Sequence, residues 1–310
     1  MEQFIPAPGT VWHGSVPVLD TGFSLPVTIL CGKEEGSTIL ITAGIHGEEY
    51  CGVEAAMELA HELKPEDITG ILCIIPVCNS PAFFHHIPEN LEQEDLNRCF
   101  PGNAEGSLLD RLAYVLFQNW ILSSDFYIDL HGGGKEEVLF PHLYYQGAAK
   151  TSTKRASLAM SQAVGLPYRI RIDDNSYGAF NCAGAAGVPA VLLARGGKGT
   201  WTPEEVEAYK NDLRTLLVHL EVLSAEPPPS ITPPTELTAL NCETALCDGL
   251  WYPEMQPGDC FSCGDVFGTI RDFSGEILTT VAALCDGVLL YQVDALAVQS
   301  GSPLLTYGAL

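Results

Sequence analysis

Basic residues are scarce in this 310-residue chain, in which 15 lysines and arginines stand against 39 aspartates and glutamates, giving a formal net charge of −24. Nucleic acids and anionic membranes are bound by clusters of lysine and arginine, so we expect neither as a partner. Long apolar runs are also missing, because none reaches the ~20 residues that a membrane-spanning helix needs. Residues 1–6 show neither the basic nor the apolar region of a signal peptide. We therefore expect a cytoplasmic protein.

A disulfide framework is also not expected, although the chain has eleven cysteines. Their number is odd, and several, such as Cys73 and Cys78, lie in apolar runs typical of strands. Buried, reduced thiols in a cytosolic protein fit this distribution best. Cys260 and Cys263 form a Cys-x-x-Cys pattern, but no second pair lies at zinc-ribbon spacing. The pattern therefore does not favour a metal or redox role there.

Strand and helix signals alternate through the first two thirds of the chain. Apolar runs typical of strands cover residues 38–43, 71–77, 126–130, 168–172 and 190–193. Helical spacing and capping signals cover residues 50–63, 108–122, 156–164 and 202–223. This alternation predicts an α/β fold in which helices cover a largely parallel or mixed sheet.

A proline-rich segment marks the clearest boundary. Residues 225–234 contain five prolines, which cannot continue a helix and favour a stiff, extended connection. After it, short apolar runs alternate with closely spaced Gly and Asp turns, as in a small β-barrel or sandwich. We therefore predict an α/β domain at residues 1–224, a linker at 225–234 and a small all-β domain at 235–310.

Two segments at the ends of predicted strands carry the residues of a candidate metal site. His46 and Glu49 follow the first run, and His131 follows the run at 126–130. Residues three apart at the start of a helix can point the same way, and sites in open α/β sheets form at the carboxyl ends of strands. One zinc ion can therefore be shared by these three side chains. Three protein ligands leave a position for water, as in catalytic zinc sites.

Two nearby carboxylates allow more than one interpretation. Glu48 either competes with Glu49 as the metal ligand or is simply solvated. Asp129, two residues before His131, either accepts a hydrogen bond behind the ligand or caps a turn.

A third segment, residues 95–102, places Asn97 beside Arg98 ahead of a Pro-Gly turn. A guanidinium can bind a carboxylate in a bidentate pair, and the amide can add a hydrogen bond. The pair therefore suits recognition of a substrate carboxylate. The alternative is a salt bridge within the loop.

Together the three segments resemble the succinylglutamate desuccinylase/aspartoacylase family, a branch of the zinc carboxypeptidase-like fold. Their order and spacing match across about residues 25–220. Residues 264–268 and 285–289 are similar to the β-rich C-terminal domain of the deacylase branch of this family.

The resemblance implies a site and a reaction. His46, Glu49 and His131 are the implied ligands of one zinc ion per chain, and this match favours Glu49 over Glu48. Asn97 and Arg98 are implied to hold a carboxylate of the substrate. The family typically hydrolyses an amide that links an acyl group to an amino acid.

The chain departs from the family pattern at the general base. The strand after the zinc histidine usually ends in a glutamate, but here Ala194 stands at that position. An alanine cannot transfer a proton, and general acid–base help is worth ~10²–10⁴-fold. Candidates for a relocated base are Glu136, Glu137 and His142, each of which has a simpler interpretation as a surface or loop residue. Arg195 is expected to face away from the side to which Ala194 points, because side chains alternate along a strand.

A second departure concerns the arginine that usually steadies the oxyanion. Residues 83–94 contain no arginine, and His85 and His86 are the possible substitutes. Oxyanion donors often contribute about 2.7–4 kcal/mol to catalysis, so this gap also weakens the expectation of ordinary activity.

Three hypotheses for function follow. The first is a zinc-dependent hydrolase that cleaves the amide of a small N-acyl amino acid or a similar carboxylate-bearing molecule. The second is a metal-binding relative whose catalysis is lost or weak. The third is a carboxypeptidase or an esterase, the latter because alkoxide leaving groups need less protonation than amines. A small-molecule partner is expected, and homo-oligomer formation stays open.

Overall fold

The structure is a computed structural model that describes residues 1–85, 94–174, 178–224 and 232–310. Its first strands are β1 (Thr10–Pro17), β2 (Ser24–Cys31), β3 (Thr38–Thr42), β4 (Ile71–Ile75), β5 (Phe126–His131), β6 (Glu137–Leu139), β7 (His142–Gln146), β8 (Tyr168–Ile172), β9 (Ala190–Ala194) and β10 (Thr235–Leu237). The α-helices are α1 (Tyr50–Glu62), α2 (Ser80–His85), α3 (Leu96–Cys99), α4 (Leu108–Val115), α5 (Thr151–Ala163), α6 (Ala179–Ala186) and α7 (Pro203–His219). The remaining strands are β11 (Ala239–Thr244), β12 (Gly249–Pro253), β13 (Cys260–Phe261), β14 (Val266–Arg271), β15 (Ile277–Ala282), β16 (Gly287–Val293), β17 (Ala297–Val298) and β18 (Pro303–Ala309).

Among the described residues, nine strands form one mixed sheet in the order β1-β2-β4-β3-β5-β9-β7-β8-β10. Strands β4, β3, β5 and β9 run parallel, whereas β7 is antiparallel to β9. Helices α1, α5 and α7 pack against one face, and α4 and α6 against the other. Covered on both faces, β3 is a nearly continuous apolar run, as expected for a central parallel strand.

Local sequence explains where the helices on the sheet begin and how closely they approach. Thr202 caps α7 by accepting a hydrogen bond from the Glu205 backbone N–H, and the Glu205 carboxylate accepts one from the Thr202 N–H. Gly52 lets α1 lie close to β5, since a Cβ there would be 3.1 Å from Cβ of Leu130. The carboxyl ends of β3 and β5, where functional residues are expected, therefore meet the start of α1.

The C-terminal strands form two antiparallel sheets. One has the order β11-β18-β16-β13, and the other has the order β15-β14-β12-β17. Between them lies an apolar cluster that includes Trp251, Phe267, Leu289 and Tyr307. This packing of two antiparallel sheets on a shared core agrees with the all-β pattern of the sequence.

The N-terminal α/β part and the C-terminal β part each contribute one strand to a sheet of the other part. Strand β6, which follows the loop after His131, pairs with β16 of the C-terminal part. Strand β10, which lies beyond the proline-rich segment, pairs with β8 of the large sheet. Residues 225–231 lie outside the described residues, and the division at 1–224, 225–234 and 235–310 stays a prediction.

The predicted fold class is confirmed: a mixed sheet covered by helices is followed by a small all-β region. The main difference concerns the helix predicted at 108–122. After Val115 it continues as a π-helical turn over Leu116–Trp120 and a 3₁₀ turn over Ile121–Ser123. In the described part of the chain, no helix combines the length and apolar character that crossing a bilayer requires.

Candidate metal centre and cavities

His46 and Glu49 lie in the turn between β3 and α1. Gly44 opens this turn with a φ of 63°, in the left-handed region that favours glycine, and a Cβ there would be 3.3 Å from the Pro76 carbonyl oxygen. Glu49 directly precedes the first residue of α1. His131 is the last residue of β5, which neighbours β3 in the sheet. The fold therefore brings the three predicted ligands to one point.

The geometry of these three side chains is close. The Glu49 carboxylate lies between the rings: Oε1 is 2.6 Å from Nδ1 of His46, and Oε2 is 3.1 Å from Nδ1 of His131. One ligand atom from each residue lies within 4.8 Å of the other two. Among the described residues, these three side chains form a group that could hold one metal ion.

Each histidine is hydrogen-bonded through Nε2 to an aspartate on the side away from Glu49. Nε2 of His46 is 3.2 Å from Asp95, and Nε2 of His131 is 3.3 Å from Asp129. Asp129 is completely buried and also accepts a 2.8 Å hydrogen bond from the Thr42 hydroxyl. Both imidazoles thus donate from Nε2 and direct Nδ1 toward Glu49, the arrangement by which carboxylates orient metal-binding histidines. Asp129 is therefore a hydrogen-bond acceptor behind the ligand.

Charge is concentrated in this site. Burial disfavours the charged form of His46, but Glu49 and Asp95 outweigh it and raise the pKa to about 10. Burial likewise opposes charge on Glu49, yet His46 and His131 lower its pKa to about 2. The pKa of His131 is well above its usual value because Glu49 and Asp129 outweigh burial.

The donor set fits a divalent cation. Oε2 of Glu49 is buried, and Nδ1 of His131, 3.1 Å away, does not complete a well-aligned hydrogen bond to it. A buried carboxylate oxygen that is incompletely satisfied is costly. Two imidazole nitrogens and a carboxylate on one centre are the ligands that zinc takes in catalytic sites. A cation at this position would supply the partner that the buried oxygen lacks.

Glu48 does not belong to this cluster. It is buried, which excludes the solvated alternative, and its Oε1 lies 2.8 Å from Nζ of Lys135. Its Oε2 accepts a 3.2 Å hydrogen bond from the Lys135 backbone N–H. Glu48 therefore orders the loop after His131.

Asn97 and Arg98 occupy different surroundings. Both lie on the short helix α3, whose start is capped by Asp95. Oδ1 of Asn97 accepts a 3.0 Å hydrogen bond from the Ala179 backbone N–H. The Arg98 side chain is 61% exposed, and its Nε lies 3.5 Å from Oδ2 of Asp95. The structure thus brings Arg98 to the carboxylate that supports His46.

Two adjoining cavities open on the cluster and share Glu49, Gly132 and Tyr291 in their walls. The first, here called the histidine cavity, has a volume of about 290 Å³, and its wall includes His46, Glu48, Asp95, Gly134 and Glu137. The second, the Ala194 cavity, has a volume of about 280 Å³, and its wall includes Asn97, His131, His142, Tyr144, Ala194 and Thr306.

Ala194 lies beside the metal-site histidine. It is the Cα partner of His131 on β5 and of His142 on β7, so the three form one row across the sheet. Paired residues project from the same face, which here is the wall of the Ala194 cavity. Arg195 points to the other side, where Nη2 lies 2.7 Å from Oδ2 of Asp212 on α7.

The three candidate bases differ in their surroundings. His142 is buried and fully engaged: Nδ1 donates to the Phe140 carbonyl at 2.7 Å, and Nε2 accepts from the Tyr144 hydroxyl at 3.0 Å. Burial lowers its pKa to about 4, against the hydrogen bond to Phe140, which raises it. Glu136 is exposed. Glu137 lies in the wall of the histidine cavity.

Of the two candidate oxyanion donors, His85 is exposed at the end of α2 and His86 lies outside the described residues. Sequence reasoning missed Tyr291 and Thr306, which come from the C-terminal strands β16 and β18. Nothing in their local sequence separates them from other strand residues. The pairing of β6 with β16 carries this region to the site.

Comparisons with known proteins give matches that cover most of the chain. Residues 35–220 match the succinylglutamate desuccinylase/aspartoacylase catalytic domain. An N-alpha-acetyl-L-2,4-diaminobutyric acid deacetylase from Halomonas elongata is 30% identical over 276 residues, covering 86% of this chain and 80% of that protein.

Solved structures extend the similarity to nearly the whole chain. The product-bound ectoine utilization protein EutE (DoeB) from Ruegeria pomeroyi aligns with a TM-score of 0.88 at 25% identity, covering 99% of this chain and 97% of that one. A succinylglutamate desuccinylase from a Silicibacter species aligns with a TM-score of 0.88 at 27% identity, covering 98% and 97%.

Proposed function

Because the chain belongs to the succinylglutamate desuccinylase/aspartoacylase family, we propose that it is a zinc-dependent hydrolase that cleaves the amide of a small N-acyl amino acid or a similar carboxylate-bearing substrate. The observation that carries the proposal is the convergence of His46, Glu49 and His131, with an aspartate behind each histidine. These three residues hold one zinc ion per chain in this proposal.

The roles divide between the metal and the chain. Zinc in such a site polarises a carbonyl group and lowers the pKa of water to ~7. Asp95 and Asp129 fix the orientation of the two imidazoles. Since Oδ1 of Asn97 is already occupied, its amide NH₂ group is the part that serves a substrate in the Ala194 cavity. Arg98 adds a guanidinium for the substrate carboxylate.

A metal-binding relative with lost or weak catalysis is the second candidate, and one observation favours it. Ala194 projects into the cavity beside His131, where the family usually has its proton-transferring glutamate. The metal site and the substrate cavity do not depend on that glutamate. A chain that keeps both and lacks a base would bind its ligand without turning it over.

We further propose a cytoplasmic location and the division into an α/β domain, a linker and a β domain. The location is supported by the cysteines, because all eleven are free thiols.

Metal content and turnover measured on one protein sample test the proposal. We expect about one zinc per chain, and hydrolysis of at least one member of a panel of N-acetyl and N-succinyl amino acids. His131→Ala should lose the zinc and the turnover together. His61→Ala, an exposed histidine on α1, is the matched control and should keep both.

The other outcomes separate the alternatives. Zinc without turnover in the wild-type chain would support the non-catalytic relative. Turnover of peptide or ester substrates, assayed beside the panel, without turnover of any N-acyl amino acid would favour a carboxypeptidase or an esterase. Turnover by a zinc-free His131→Ala variant would refute the assigned metal centre.

A further inference from the structure

The histidine cavity contains four carboxylates, and three of them are engaged by charged or metal-binding groups. Glu49 lies between the two ligand histidines. Glu48 forms an ion pair with Lys135. Asp95 is hydrogen-bonded to His46. None of these three can take up a proton without disturbing the metal centre or breaking an ion pair.

The fourth carboxylate, Glu137, is held differently. Its Oε2 accepts a 2.7 Å hydrogen bond from the Gly134 backbone N–H, and its Oε1 accepts a 2.7 Å hydrogen bond from the Tyr291 hydroxyl. Both donors are neutral. A carboxylate has about four lone-pair sites, so each oxygen keeps one for a further donor. The two hydrogen bonds therefore orient the Glu137 carboxylate without pairing it with a positive charge. A general base needs such an oriented carboxylate that can still accept a proton.

The loop after His131 brings Glu137 into the cavity that also contains Glu49. A Cβ on Gly132 would lie 3.7 Å from Cβ of Glu49, and a Cβ on Gly134 would lie 3.3 Å from Oε2 of Glu137. Gly132 thus lies next to Glu49, and Gly134 lies next to the Glu137 carboxylate. Glu137 and Glu49 therefore belong to the wall of one cavity.

The C-terminal part of the chain fixes the position of Glu137. Its Cα partner across the β6–β16 pair is Val293, and Tyr291 lies two residues earlier on the same strand. Tyr291 also lies in the walls of both cavities. Its hydroxyl orients one carboxylate oxygen, so Tyr291 acts as a positioning residue.

The two rival bases are less suited to the task. Both ring nitrogens of His142 are engaged, and it would have to give up the Tyr144 hydrogen bond to accept a proton. Glu136 is exposed, and the wall of the histidine cavity includes its neighbour Glu137. Of the three candidates, Glu137 is the one that combines a place in the cavity with unoccupied lone pairs.

We propose that Glu137, oriented by Tyr291, is the general base that replaces the carboxylate missing at Ala194; this rests on the hydrolase function proposed above. As water attacks the carbonyl carbon, an O–C bond forms and Glu137 accepts a proton from the water. As the C–N bond breaks, Glu137 returns this proton to the departing nitrogen. One water is consumed, and a carboxylic acid and an amine are released.

A double-mutant experiment tests this role. Glu137→Gln should lower kcat by ~10²–10⁴-fold, the usual worth of a general base, with KM within a few-fold. Its zinc content and melting temperature should match those of the wild-type protein. Glu136→Gln, the adjacent control, should leave kcat unchanged. In a chain carrying Ala194→Glu, the restored carboxylate should reduce the effect of Glu137→Gln to a few-fold.

Tyr291→Phe tests the positioning role by the same design. It should lower kcat more than it changes KM. In a chain carrying Ala194→Glu, the loss of kcat caused by Tyr291→Phe should be largely abolished. A purely structural role for Tyr291 would produce the same loss in both chains and would refute the positioning role.

The outcomes separate the two proposals. Wild-type turnover that survives Glu137→Gln with intact zinc would refute Glu137 as the base while leaving the hydrolase function in place. An inactive wild-type chain that becomes active as Ala194→Glu would also refute it, because no base would then be present naturally. If neither the wild-type chain nor the Ala194→Glu chain turned over any substrate, the hydrolase function itself would be refuted, and the role of Glu137 with it.

Discussion

Replacing Asp129 by asparagine should weaken metal binding while largely preserving the fold. Asp129 accepts hydrogen bonds from His131 and from Thr42. In Asp129→Asn, Oδ1 can still accept from His131 while the NH₂ group faces Thr42. The Thr42 hydroxyl can reverse and donate to the Tyr127 hydroxyl, which is 2.7 Å away. The hydrogen bonds that residue 129 makes with His131 and Thr42 are thus retained, while the buried Tyr127 hydroxyl gives up its acceptor. The main loss at the metal site is the negative charge behind His131.

The expected loss of zinc affinity in Asp129→Asn follows from the number of metal ligands whose hydrogen-bond partner changes. One ligand of three loses its charged partner, and removing such a partner typically costs 10–100-fold in metal affinity, or ~1.4–2.8 kcal/mol. Competition with a zinc-binding dye of known affinity measures this difference directly. Asp129→Ala should lose similar metal affinity. It should also destabilise the metal-free protein by about 1–3 kcal/mol more than Asp129→Asn, because two donors lose their acceptor.

Two results would contradict this reasoning. Zinc affinity of Asp129→Asn equal to that of the wild-type protein would show that the charge behind His131 does not tune the ligand. Equal urea unfolding free energies for the metal-free asparagine and alanine variants would show that Thr42 does not reverse. Thr238→Ala, at an exposed threonine outside the cavities, is a control for nonspecific changes in unfolding.

Two further predictions concern stability. Arg195→Ala leaves Asp212 buried without its partner and should cost about 3 kcal/mol of unfolding free energy at pH 7. Burial raises the pKa of Asp212 and Arg195 opposes this shift, so the variant should raise the pKa of Asp212 further. An acid whose pKa is raised in the folded state regains stability as the pH falls through that pKa. Urea titrations from pH 7 to 4 should therefore show the loss of unfolding free energy shrinking. A deficit that stays constant over this range would exclude Asp212 as its source. Lys210→Met should lower the melting temperature in low salt, because the ammonium contacts three glutamates at 2.6–2.9 Å, and the loss should shrink in 1 M NaCl, where the Debye length falls to ~3 Å. A salt-independent loss would assign the effect to packing.

The α/β fold and the convergence of the three candidate ligands could be predicted because their signals are local. The apolar runs of β3 and β5 identify central strands, and His46, Glu49 and His131 stand directly at strand ends. The direction of Arg195 follows from strand alternation alone, and the structure places it accordingly. Such features depend on a few neighbouring residues, which one sequence displays in full.

Features that depend on distant pairing could not be predicted. The hydrogen bond between Glu137 and Tyr291 joins residues 154 positions apart, and it exists only because β6 pairs with β16. Glu48 differs from Glu49 by one position, yet its burial against Lys135 depends on how the loop after His131 folds back. The helix predicted at 108–122 has continuous helical spacing, and its change at Val115 involves backbone hydrogen bonds that the apolar pattern does not encode.

The exchange of β6 and β10 has a consequence for any attempt to shorten the protein. A truncation before residue 235 would strip β10 from the edge of β8 and leave β6 with no strand to pair with. The exposed edge would invite intermolecular pairing, and the Tyr291 side of both cavities would be gone. The two regions should therefore unfold in one cooperative transition.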